Sequence, residues 1–178
     1  MRSFLELRLK DTSISLDTLE RKWVTNMNTK YLWQLPEEDK PKKRIALIIP
    51  DTHLCYELEN ALEFLVSVAV EKECTDILHV GDVIDSATVN MHAFDPDGLS
   101  PTTELEKTKA HIKRWAEVFP EMKIAVGNHF TAATRLGKKH GIPKIYLKTV
   151  QQLFEYPIGW DVQERHVFKD VVIEHGQR

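Results

Sequence analysis

Cysteine is scarce. Two occur in 178 residues, Cys55 and Cys74, far from any C-x-x-C spacing, so neither a disulfide framework nor a thiolate zinc site is expected. Seven Gly and eight Pro are too few for a collagen-like or low-complexity chain. No run of about 18 uncharged apolar residues occurs, which excludes a transmembrane helix, and no membrane partner is expected. The N-terminal stretch MRSFLELRLKDTS is interrupted by Glu6 and Arg8, whereas a secretory signal needs a cleaner apolar core. The reading is a mature cytoplasmic protein. There is no internal repeat, no Gly-rich phosphate loop, no Gly-x-Gly-x-x-Gly fingerprint and no Ser-His-Asp arrangement. The net charge of −3 exerts no global pull toward nucleic acid, so a partner must be read from a site.

What is present is the balance of a soluble globular protein, 42% hydrophobic and 29% charged. Residues 1–44 carry a net +3 and the remainder a net −6. The excess at Lys40, Lys42, Lys43 and Arg44 reads as a solvated flank to the strand that follows. Leu16, Leu19, Trp23 and Met27 recur at helical steps, with Ser15 or Asp17 as the cap, and PEEDKPKK over 36–43 reads as a linker. Residues 1–44 are thus a helical extension with a linker, and 45–178 the main domain.

That domain alternates. IALII over 45–49 is expected to be a strand buried on both faces; a helix follows over 57–72, then a strand over 77–80. A helix over 103–119 ends at Pro120, a third strand covers 123–126, and helices are expected near 131–140 and 144–154. Two strands are expected between Val162 and Glu174 around Lys169-Asp170. Strands alternating with helices imply a parallel sheet with right-handed crossovers, an α/β fold.

In such sheets the functional residues follow the carboxyl ends of the strands. Those positions hold Asp51-Thr-His53, Gly81-Asp82-Val-Ile-Asp85, Gly127-Asn128-His129 and His175-Gly176. Each piece alone is weak, but chance has no reason to repeat the same phase at four strand ends. Carboxylate, imidazole and amide oxygen suit Mn²⁺, Fe²⁺, Zn²⁺, Co²⁺ or Ni²⁺. Asp51 and His53 can reach one ion where the backbone turns, and Asp82 has two oxygens with which to bridge a pair. Two such ions clamp a phosphate and activate a water for in-line attack.

These four motifs, in this order, resemble those of the calcineurin-like metallophosphoesterase superfamily over roughly residues 45–176. The loop 85–103 and the segment RWAEVFPEMKIAVGNH are similar to small stand-alone members from phages and bacteria. The resemblance implies an αββα sandwich and two metal ions. Asp51, His53 and Asp82 would hold one ion, and Asp82, Asn128 and His175 the other. His129 would serve the leaving group as the catalytic acid, and Asp85 would stand behind the ligands. The implied partner is a phosphate mono- or diester, with nucleic acid and nucleotides within that class.

Two positions depart from the pattern. Phe130 follows Gly-Asn-His where the family carries Asp or Glu, which would orient the imidazole. The family's final Gly-His-x-His motif is absent, so the second sheet is expected to be incomplete and activity reduced. The alternative expectation is a non-catalytic relative that binds a metal, a phosphate or a partner. A nucleotide-binding α/β domain is disfavoured, since no glycine-rich turn follows the first strand. Of the other histidines, His79 is expected to be packed or paired within its strand; His92 is a candidate for contacting substrate, with a solvent-exposed loop position the favoured reading. His111, His140 and His166 are expected on element surfaces. Arg135, Lys138 and Lys139 read as a solvated helix face in preference to a phosphate path, and Cys55 as a small buried hydrophobe.

Overall fold

The β-branched run after Arg44 forms β1, Ala46–Ile49, and pairs in parallel with β2, Asp76–His79, in the register Ala46 with Asp76 through Ile49 with His79. In this computed structural model, residues 31–89 and 97–176 are described, and the elements below belong to one unit beginning at Leu32. The expected N-terminal helix and His92 lie outside the described residues. β3, Met122–Ala125, and β4, Trp160–Gln163, complete a four-stranded parallel sheet in the order β1-β2-β3-β4. Because β1 is an edge strand, only alternate residues are covered: Leu47 and Ile49 are buried while Ile48 is 49% exposed. The expectation of burial on both faces therefore fails for β1; it is β2 whose Ile77, Leu78 and His79 are all buried.

The connections are helical. α1, Ala61–Glu71, buries Leu62, Val66 and Ala69 at three- and four-residue steps. α2, Pro101–Val118, starts where the Ser100 side chain accepts a hydrogen bond from the Thr103 N–H with Pro at the first helical position. It buries Glu104, Thr108, Ile112 and Trp115. The 131–140 helix is α3, Ala132–Lys139. The expected helix over 144–154 is broken: a single 3₁₀ turn, Lys144–Tyr146, gives way to extended Leu147. The Thr149 capping box then opens the short α4, Val150–Leu153.

The two strands expected around Lys169-Asp170 are present, and β4 precedes them as a further strand. After β4, whose Trp160 indole N–H donates to the Phe119 carbonyl at 2.8 Å, the chain leaves the sheet and forms an antiparallel hairpin. Its strands are β5, Arg165–Phe168, and β6, Val171–Glu174. His166, expected on a surface, is buried, and its Nε2–H donates to the Ile124 carbonyl of β3 at 3.0 Å. That bond ties the hairpin to the sheet and so fixes the height at which β6 delivers His175. At the opposite end, Trp33 is 2% exposed and donates its indole N–H to the Val118 carbonyl at 3.0 Å. Arg44 pairs with both Glu37 and Asp76, and this holds the Glu37 carboxyl down at about 2.

His79, at the end of β2, is fully paired. Its Nδ1 accepts the Gly81 N–H at 3.1 Å, so Nε2 carries the proton and donates to Thr52 Oγ1 at 3.1 Å. Thr52 Oγ1 in turn donates to the Val83 carbonyl at 3.4 Å. Both ring nitrogens are thereby committed to the two loops that follow β1 and β2. Burial pushes this imidazole down to about 3 from an ordinary 6.5. The unfolded chain takes up a proton near 6.5 that the folded chain refuses until about 3, so this contribution is complete above 6.5 and is lost as pH falls through that window. Urea unfolding of the metal-free protein should show stability declining with acid across it, with a shallower slope in His79→Asn. Equal slopes would mean that His79 is not held neutral.

Candidate metal centre

The site is assembled by backbone before any side chain is considered. Beyond β1, the N–H groups of Thr52 and His53 both donate to the Asp82 carbonyl, at 3.2 and 3.1 Å, and the Leu54 N–H donates to the Val83 carbonyl at 2.8 Å. The loops after β1 and β2 therefore run together past the sheet. His53 (φ 46°) and Asp82 (φ 49°) both sit in the left-handed region, which few non-glycine residues adopt. Backbone strain held at two neighbouring polar residues is a feature of functional sites.

Asp82 is 4% exposed and lies at the centre. Its Oδ1 accepts the His129 N–H at 2.9 Å, and its Oδ2 is 3.2 Å from Nε2 of His175. That same Nε2–H donates to Asn128 Oδ1 at 2.9 Å, while Nδ1 of His175 is 3.6 Å from Asp51 Oδ1. Donor atoms of Asp51, His53 and Asp82 all lie within 4.8 Å of one another. A second group within the same limit is His53, Asp85 and His129. The structure thus brings together Asp51, His53, Asp82, Asp85, Asn128, His129 and His175, the positions singled out at the strand ends.

Two glycines make the approach possible. A Cβ on Gly127 would come within 2.0 Å of Asp82 Oδ1 and 2.4 Å of its backbone N. A Cβ on Gly81 would meet Nδ1 of His175 at 2.8 Å, and Gly81 itself has φ 125°. Any side chain at 127 would fill the space that the Asp82 carboxylate occupies.

Asp85 serves two imidazoles. Its Oδ1 accepts the Nδ1–H of His53 at 2.7 Å, and its backbone carbonyl accepts the Nδ1–H of His129. The same Oδ1 is 3.4 Å from Nδ1 of His129, and the two rings meet edge to face at 4.8 Å. Both histidines are left with Nε2 as the uncommitted nitrogen. Phe130, standing where a carboxylate was looked for, makes an edge contact with the Tyr156 ring instead, so the acid beside His129 comes from Asp85.

Glu104 had no place in the sequence reading. It is 3% exposed, and its carboxylate accepts the N–H groups of Ala87 (2.9 Å) and Thr88 (3.3 Å) and the Thr88 hydroxyl (3.0 Å). These bonds pin the turn Ala87–Val89 immediately after Asp85. The available signal was a carboxylate on the stripe that continues through Thr108, Ile112 and Trp115, since a buried charge on a core face needs dedicated partners. Cys55 is partly rather than fully buried, and burial raises its thiol pKa above the ordinary value. His111 pairs with Glu57.

No protein-family model matches this chain, and no curated protein matches it. Among solved structures, the crystal structure of Pseudomonas putida nuclease MPE is similar over 70% of this chain at 18% identity, with a TM-score of 0.37. The chain spans about half (50%) of the length of that protein.

Proposed function

We propose that the chain is a phosphoesterase working with two divalent metal ions gathered around Asp82. The observation that carries this reading is the setting of that carboxylate. It is buried, no Lys or Arg among the described residues pairs with it, and Asp51 and His53 from the loop after β1, the His129 N–H from the loop after β3 and His175 from beyond β6 converge on it. A buried anion needs a compensating cation, and this donor set is suited to supply one.

The residues fit such ions on two counts. Asp51, His53 and Asp82 offer two carboxylates and an imidazole; Asp82, Asn128 and His175 offer a carboxylate, an amide oxygen and an imidazole. These are donors for Mn²⁺, Fe²⁺, Zn²⁺, Co²⁺ or Ni²⁺. The second count is that the missing side chain at Gly127 leaves the Asp82 carboxylate room at the centre of these donors. Bound ions of this kind polarise a phosphoryl oxygen and lower the pKa of water.

The chain's own residues supply the rest. Asp85 holds the His53 ring by its Nδ1–H, which directs Nε2 to the role of ligand atom. The Nδ1–H of His129 is committed to the Asp85 carbonyl, so Nε2 is the atom that hands a proton to the departing alkoxide. The Asp85 carboxylate lies 3.4 Å from Nδ1 of that ring and fixes its orientation from the same side. Glu104 acts at one remove, as a positioning residue, by holding the turn behind Asp85. In this reading the β5–β6 hairpin belongs to the second layer of an αββα sandwich.

Asp82→Asn is a sharp test, because Asn tolerates the left-handed backbone that Asp82 adopts. The variant should stay folded by circular dichroism while losing bound Mn²⁺ and hydrolysis of an aryl phosphodiester. Unchanged metal content would overturn the proposal. His129→Ala separates proton transfer from metal binding. It should lower kcat by about 10²–10⁴ with metal content retained, and by less for a nitrophenolate leaving group that needs no proton. Loss of metal from that variant would make His129 a ligand rather than the acid.

A further inference from the structure

Between Glu121 and Glu155 the chain contains no Asp or Glu, although acids number 27 in 178 residues. The stretch 130–154 holds Arg135, Lys138, Lys139, Lys144 and Lys148, a net +5 within a protein of net −3. It begins at the metal centre itself, since it follows directly on Asn128 and His129. Arg135 donates from Nη2 to the Asn128 carbonyl at 3.1 Å, so its guanidinium lies at the rim of the site with further N–H groups unspent. Lys138 and Lys139 stand three and four residues on along α3, on the same helix face as Arg135.

The segment beyond α3 is built against it. Gly137 allows this, because a Cβ there would come within 2.7 Å of Leu147 Cδ1, and the Ile142 N–H donates to the Gly137 carbonyl at 2.8 Å. The turn Lys144–Tyr146 is thereby held against α3, beyond its buried Gly137 side. All five cations are exposed, and no described carboxylate forms an ion pair with Lys138, Lys139, Lys144 or Lys148. Tyr146 is 79% exposed among them, an aromatic ring offered to solvent where burial would be the default.

A row of unpaired cations with an exposed aromatic ring, leading into a site of carboxylates and imidazoles, is suited to a flexible polyanion with stackable bases. We infer that residues 135–148 are a docking track for single-stranded polynucleotide, whose backbone phosphates pair with the cations and whose bases stack on Tyr146. The inference rests on the proposed phosphoesterase reading and narrows its substrate to a polynucleotide phosphodiester. It also gives the excess cations a purpose: the three carboxylates Asp51, Asp82 and Asp85 would otherwise repel a nucleic acid strand before it reached the site.

The test is fluorescence anisotropy of a labelled oligothymidylate of about a dozen nucleotides with the whole chain in EDTA, over a range of salt. EDTA removes metal-mediated binding, so the track is read alone. With five contacts, log K should fall against log[salt] with a slope of about −3.5. Lys138→Gln/Lys139→Gln/Lys144→Gln should take about 2 from that slope. A matched control, Lys42→Gln/Lys43→Gln/Lys123→Gln, should leave it unchanged. Tyr146→Ala should weaken binding about tenfold, and a duplex of equal length should bind less well than the single strand. A wild-type slope near zero, equal losses in the two triple variants, or a preference for duplex would overturn the inference. Hydrolysis of a small aryl phosphodiester with Mn²⁺ is measured alongside. If that activity is present while the oligonucleotide fails to bind, the track is wrong and the phosphoesterase reading stands. If the oligonucleotide binds as described but no diester is cleaved, the phosphoesterase reading fails and the track remains as a binding surface.

Discussion

Everything at the candidate site depends on how one residue, Asp82, is held. Its carbonyl accepts two N–H groups from the loop after β1, at 3.2 and 3.1 Å. Its Oδ1 accepts the N–H of His129 from the loop after β3, and its Oδ2 meets His175 from beyond β6. Three crossings of the chain therefore converge on one carboxylate with a left-handed backbone. A conformation that costs of order 1–3 kcal/mol persists only where the surroundings over-determine it, and here four separate contacts do so.

Those surroundings are themselves polar and buried, which is expensive unless each group is paired. The structure meets the requirement locally. His79 spends one nitrogen on each neighbouring loop, and Glu104 spends its carboxylate on the turn after Asp85. Neither residue belongs to the cluster of donor atoms, yet together they fix the two loops on which Asp51, His53, Asp82 and Asp85 are carried. The rigid sheet sets the distances, and these two buried polar groups set the direction in which the loops leave it.

Charge is arranged with the same economy. Asp51, Asp82 and Asp85 gather at the strand ends, whereas the chain from 122 to 154, which starts with β3 and runs through α4, carries no Asp or Glu. Under the proposed reading, metal ions and a polyanionic substrate would need surroundings of opposite sign. Their separation along the sequence, with Asn128 and His129 at the boundary, lets one loop serve both.

Much of this was legible in the amino-acid sequence because it depends on short-range order. The β-branched run at 45–49, the helical spacing of Leu62, Val66 and Ala69, and polar residues at four strand ends are local patterns with a fixed physical period. They determined the α/β class and the positions of Asp51, His53, Asp82, Asn128 and His175 relative to their strands. Tertiary structure alone decided which acid stands beside His129, since Asp85 reaches it from another loop across a separation of 44 residues. It alone decided that Ile48 faces solvent, because the place of β1 at the sheet edge follows from strand order. The same holds for His166 and Glu104, whose types suggest a surface and whose partners, the Ile124 carbonyl and the N–H groups of Ala87 and Thr88, lie on other elements. A residue's spacing reveals the face it occupies, but the partner that satisfies a buried polar atom exists only once distant segments have met.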